Sequence, residues 1–257
     1  MYPLLIATGL SLVATLSLIF IPNDRLYFSG PFLGIFVFAG AFFLIARLSG
    51  KRVQPFLEAA QRHAQAGKAD LAIEAYEGAR KLSRWQLFLD RQINTQIGIL
   101  HYAMGEDEKA AEFLAKGYPK IPQGPLVLGA LLYRAGKKDD AKLALTQGIQ
   151  FNKDSAMLPN LLAWFHEKDG QHEEAVAVLN KTSKVVRANA ETSDNLDRLK
   201  NGKKMNMKGF GQNWFMLKFE VPKGMAQGQV RKGFRQAPKN KGRANQQPKK
   251  GKKGKKR

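Results

Sequence analysis

The chain has no cysteine among its 257 residues. That removes any disulfide framework and any thiolate metal site, and it is compatible with a cytosolic compartment. Recognisable catalytic signatures are equally scarce. There is no P-loop, no dinucleotide fingerprint, no GxSxG and no HExxH, so no phosphate cradle, nucleophile elbow or zinc-protease helix is encoded in a familiar form. Two further absences divide the chain. Tyr2 to Ile21 contain no charged side chain, and no acidic residue follows Glu220.

The uncharged start is long enough to matter. Twenty residues of helix rise about 30 Å, the thickness of a hydrocarbon core. A second apolar run, Tyr27 to Ala46, has similar length, and Pro22-Asn23-Asp24-Arg25 links the two. The first run lacks the basic n-region and cleavage motif of a signal peptide. The pair predicts a transmembrane helical hairpin over residues 1–48. Arg47, Lys51 and Arg52 follow the second run directly, and by the positive-inside rule they place both termini in the cytoplasm. Gly30 and Gly34 form a GxxxG that could pack the spans or pair two copies. The compact anchor and the lack of eukaryotic targeting features point to a bacterial cytoplasmic membrane.

Between the two ends, Val53 to Asn189 repeats itself. Gly67, Gly105, Gly136 and Gly170 stand in polar turn contexts at spacings of 38, 31 and 34. Five residues after each comes an alanine: Ala72, Ala110, Ala141, Ala175. Four further on stands a larger side chain: Tyr76, Leu114, Leu145, Leu179. Seven residues before each glycine is a small residue: Ala60, Gly98, Gly129, Ala163. This is the pattern of antiparallel helix pairs in which a glycine ends the first helix, small residues let the backbones approach and the larger ones fill the seam. Asp or Glu after the glycine suits the N-terminus of the second helix.

In spacing and offsets the pattern resembles the tetratricopeptide repeat (TPR), whose unit is about 34 residues. The family's early tryptophan is absent from every copy, and its proline after the second helix occurs only as Pro122. The first spacing holds four extra residues around Arg84 to Leu89, and the second is three short, which predicts a tight loop. The expected fold is all-α, with about four TPR-like helix pairs over residues 53–202.

The resemblance implies a right-handed superhelix whose concave groove is built from the first helices. Leu57, Gln61, Thr95, Ile99, Tyr102, Leu126, Ala130, Tyr133, Asn160 and Trp164 would face a protein partner there. Few are charged, so the groove suits an apolar helix or an extended segment, unless it is filled by the chain itself. The basic clamp with which some TPR co-chaperones hold a C-terminal carboxylate is missing. His63, His101 and His166 each fall four residues before a turn glycine. A periodic position suits packing better than catalysis, and no cofactor or metal site is expected.

After the repeats, Glu191 to Asn201 predicts one more short helix, a polar cap for the stack. Residues 203–222 differ in character. Trp214, Phe215, Leu217 and Phe219 lie in an alternating run that predicts a strand, serving as a lid on the last repeat or as a contact for a partner. From Lys223 the composition is that of a disordered tail: 14 Lys or Arg in 35 residues and no acid. Residues 203–257 carry +17 of the chain's +21. Arg231, Lys232, Arg235, Lys249, Lys250, Lys252, Lys253, Lys255, Lys256 and Arg257 are the candidate polyanion-binding residues. Anionic lipid and RNA are equally compatible targets, because charge alone does not choose between polyanions. The sequence thus predicts no enzyme, but a membrane-anchored scaffold that recruits a protein partner. The alternative is a membrane tether for RNA or ribosomes acting through the tail.

Overall fold

A computed structural model describes residues 2–19, 30–183 and 189–220. The link 22–25, Val221 and the whole basic tail, with its ten candidate residues, lie outside the described residues. Within them the chain is all-helical, with no strand.

Helix α1 (Tyr2–Ile19) packs against the first half of α2 (Gly30–Gln65). The contact is close because Gly34 leaves no room for a Cβ against Thr15, and Ser11 Oγ donates to the Gly34 carbonyl at 2.7 Å. Gly34 therefore serves the packing of one helix on the other. Helix α2 then continues, without a break, into the repeats. Among the described residues it is the one helix long and apolar enough to cross a membrane; the apolar stretch of α1, Tyr2–Ser17, is shorter.

The repeats follow as pairs: the second half of α2 with α3 (Ala69–Arg80), α4 (Leu89–Met104) with α5 (Asp107–Ala115), α6 (Gln123–Arg134) with α7 (Lys138–Phe151), and α8 (Met157–Lys168) with α9 (His172–Ser183). Each second helix also touches the first helix of the next pair. This is an all-helical solenoid of stacked helix pairs. All four turn glycines are left-handed, with φ of 71°, 83°, 80° and 76°, a conformation that costs other residues about 1 kcal/mol or more. In each turn the N–H after the glycine returns to the carbonyl five residues back, as in Glu106 N–H to His101 O at 2.9 Å. That is a Schellman closure, which satisfies carbonyls the helix end would otherwise strand.

The seams are built as the small-and-large pattern requires. Ala72, Ala110, Ala141 and Ala175 are fully buried. A Cβ on Gly98 would lie 2.7 Å from Leu114 Cγ, and one on Gly129 would lie 2.9 Å from Leu145. In the outer repeats Ala60 and Ala163 take the same place with no exposed surface.

The two irregular spacings are absorbed in different ways, and the second departs from the tight loop expected. The four extra residues of the first repeat form a 3-10 turn, Ser83–Trp85, and a left-handed Phe88 at φ 61°. The three residues missing from the second repeat are taken from helix α5, which has 9 residues where α3 has 12 and α7 has 14. The loop after it, 116–122, is not tight. It carries Gly117, whose close approach to Thr95 and the Leu114 carbonyl a Cβ would block.

Helix α10 (Ala190–Lys200) caps the stack, burying Leu196 and Leu199 against Ala163, Ala175 and Leu179. Its N-cap is Asn189, whose side chain accepts from Thr192 N–H at 3.0 Å, a standard way to satisfy an orphan donor.

The turns are also tied to one another. Asp169 accepts from Tyr133 Oη at 2.9 Å and pairs with Lys138 at 2.7 Å and Lys142 at 2.6 Å. Burial alone would raise this carboxyl, but hydrogen bonds from Lys138, Lys142 and Tyr133 outweigh it and bring it down to about 2. A depressed carboxyl stabilises the fold fully above its unfolded pKa, near 4, and loses that contribution as pH falls through the folded value. Asp169→Asn should therefore cost about 2 kcal/mol at pH 7. The difference from wild type should shrink toward pH 2 in urea titrations; a constant difference would remove the electrostatic account.

Candidate functional site: a divided groove

The face expected to form the groove is that of the second half of α2 and of α4, α6 and α8, the first helices of the pairs. Its two halves are in different states.

The C-terminal half is filled by the chain itself. Residues 214–219, expected as a strand, instead follow a 3-10 turn, Met207–Phe210, and form the short helix α11 (Gln212–Phe215) and a turn. Alternation is broken because Trp214 and Leu217, three apart, are both fully buried, and because Lys218 is left-handed at φ 61°. Trp214 meets Trp164 at 5.1 Å between ring centroids and Phe219 at 5.5 Å. Phe219 reaches Trp164 at 5.0 Å, and beside it Tyr133 stacks on Phe165 at 3.9 Å. Tyr102 donates its hydroxyl to the Met216 carbonyl at 2.7 Å, and burial pushes its pKa up to about 12, so it stays a donor. Lys218 Nζ stands 4.2 Å over the Tyr102 ring, a cation–π contact.

The start of this strap is fixed by an amide ladder. Asn206 N–H donates to Asn195 Oδ1 at 2.6 Å, Asn195 Nδ2 to Asn160 Oδ1 at 2.9 Å, and Asn160 Nδ2 to Thr192 Oγ1 at 2.8 Å.

Most of the residues assigned to the groove from sequence are therefore covered. Tyr102, Leu126, Ala130, Tyr133 and Trp164 pack with the strap in one core, and Ile99 lies against it. Asn160 is fully buried under α10 through its bond to Thr192. Thr95 is also fully buried, accepting from Tyr118 N–H at 2.7 Å. Leu57 and Gln61 are placed differently.

These two line the open N-terminal half, a cavity of about 450 Å³ between α2 and α4. Gln61 and Gln65 come from α2, and Gln92 and Gln96 from α4, with Leu57 and Ile121 beside them. Both glutamine pairs have helical i, i+4 spacing, which puts each pair on one face. None of the four amides has a hydrogen-bond partner among the described residues. Gln65, Gln92, Gln96 and Ile121 escaped the sequence reading, although the repeated i, i+4 glutamines were there to be noticed.

His101 and His166 fasten turns. His101 Nδ1 lies 2.7 Å from Glu106 Oε2 while its ring stacks on Phe113, and His166 Nδ1 lies 2.8 Å from Gln171 Oε1.

No family model matches the chain, and no curated protein matches it. Among solved structures, the crystal structure of MamA protein is similar at 20% identity and a TM-score of 0.45, covering 67% of this chain and 97% of that one. The reading of the repeats rests on the turn glycines and seams of the chain itself.

Proposed function

We propose that this chain is a membrane-anchored, TPR-like scaffold that holds an extended segment of a protein partner in its open half-groove. The observation that carries the reading is the division of the concave face. One half is closed by the chain's own aromatic strap, and the other offers four amides without a partner among the described residues, beside Leu57 and Ile121. Each glutamine amide can donate and accept at once. That matches the alternating N–H and C=O groups of an extended backbone, and it places no demand for charge on the occupant.

The anchoring has separate support. Only 11% of the most apolar window in α2 is buried, whereas a core helix of a soluble protein is mostly buried. Leu5, Val13, Ile35, Phe36 and Phe43 all point outward from α1 and α2. Exposed apolar surface on this scale marks a membrane or protein contact. The basic residues after Ala46 support a cytoplasmic position for the repeats.

The test is site-directed photocrosslinking in intact membranes, with the probe placed at Gln61, at Gln96 and, as a control, at Glu74 on α3. A partner captured at both groove positions, absent at Glu74, and lost on Gln92→Arg is the expected result. Identical products from all three positions would sink the groove reading.

The charge of the tail supports a second reading, a tether for RNA or ribosomes. Truncation at Lys223 should then abolish co-sedimentation with ribosomes in low salt, and unchanged sedimentation removes it.

A further inference from the structure

The lengthened first repeat brings its 3-10 turn back against the anchor. Trp85 packs edge-on to Tyr2 at 5.1 Å, and the Arg84 guanidinium reaches the Tyr2 hydroxyl at 3.4 Å. Between this turn and α2 lies a cleft of about 240 Å³, lined by Ile45, Leu48, Ser49, Arg52, Leu82 and Trp85. Ile45, Leu48, Ser49 and Arg52 share one face of α2 by their 3–4 spacing. Along that face the lining passes from apolar to cationic at the point where the apolar run ends. Leu48 is 53% exposed, so the cleft is open on its apolar side. Arg47, Lys51 and Arg84 stand exposed around it.

Resting on the anchoring proposed above, we infer that this cleft is a site for one anionic phospholipid of the same bilayer. Tyr2 and Trp85 occupy the depth at which amphipathic rings sit at a membrane surface. The upper acyl chain lies along Ile45, Leu48, Leu82 and Trp85, and the phosphate meets the Arg52 guanidinium. A water-soluble occupant is disfavoured by the lining, in which Ser49 is the one uncharged polar residue. Its side chain is spent on the Ala46 carbonyl at 3.0 Å. The turn at 83–85 thereby acquires a purpose: it lays the first repeat onto the lipid surface instead of leaving it clear of the bilayer.

The experiment reconstitutes the full chain in vesicles containing brominated phospholipid and reads tryptophan fluorescence. Trp164 and Trp214 sit in the strap core, so contact quenching reports Trp85. Wild type should lose part of its emission, and Trp85→Phe should lose that quenchable part. At equal mole fraction, brominated phosphatidylglycerol should quench about fivefold more effectively than brominated phosphatidylcholine, the ratio expected for one well-placed cation near the surface. Arg52→Gln should clearly reduce the difference between the two lipids, more than Arg47→Gln does; an equal effect of the two substitutions would overturn Arg52 as the phosphate's partner. Equal quenching in wild type and Trp85→Phe overturns the site. Equal quenching by the two lipids in wild type overturns its anionic preference. Complete extraction of the chain by alkaline carbonate overturns the anchoring itself, and the site with it.

Discussion

Trp214→Ala should cost about 3–5 kcal/mol, the range for deleting a fully buried aromatic side chain. The indole has no exposed surface and lies between Trp164 and Phe219. Without it, the strap has only Leu217 and Met207 as fully seated anchors. Its loss should also uncover Tyr102, Leu126 and Trp164, so the strap should become more open to proteolysis than in wild type. The indole N–H has no hydrogen-bond partner among the described residues, and burying such a donor is unfavourable. Trp214→Phe should therefore cost far less than the alanine variant, roughly 1 kcal/mol or under, because the lost ring volume is offset by removal of the orphan donor. Thermal unfolding followed by circular dichroism on the detergent-solubilised chain measures both. An alanine variant within about 1 kcal/mol of wild type would mean that the strap does not hold the groove shut.

Gly98→Val should be the second large effect, with a loss of about 3 kcal/mol, at the upper end for overpacking a tight site. A Cβ there meets Leu114 Cγ at 2.7 Å and the Ala110 carbonyl at 3.2 Å, and the second of these is backbone and cannot rotate away. Gly98→Ala is a milder case. It gains up to about 1 kcal/mol of helix propensity against the same approach, and Ala163 tolerates the equivalent position opposite Leu179. The decisive measurement is a double-mutant cycle. Leu114→Ala alone opens a cavity, but in the Gly98→Val background it provides the space the new methyls need. The pair should couple favourably by more than 1 kcal/mol. Additive losses would show that the seam is not where the two helices are held apart.

These seams were legible in the sequence because the cause is local and recurrent. A turn glycine, an alanine five later and a bulky residue four beyond that report one helix pair, and four copies in phase leave little freedom. Leu57 and Gln61 line the cavity between α2 and α4. The strap could not be read this way. Its alternation of Phe215, Leu217 and Phe219 is what a strand would show, yet its neighbours are Tyr102, Tyr133 and Trp164, far away in sequence. A concave aromatic wall rewards a turn that drives Trp214 and Leu217 inward together, and local periodicity carries no trace of that wall. The short second repeat misled in another way. A deficit of three residues fixes a length, and only packing decides whether a loop or a helix gives them up.

The unbroken course of α2 from Gly30 to Gln65 has a mechanical consequence. Thirty-six residues make a rod of about 54 Å, and the half-groove grows directly from its end with no swivel beneath it. Pro55 is the soft spot, since it withholds one hydrogen bond from the Lys51 carbonyl. On the anchored reading, Gln61 stands roughly 20 Å along the rod from the last apolar residue. The groove then has a set height and heading, so a partner held in the same bilayer must present its segment at that height, while one free in solution must arrive from the open side.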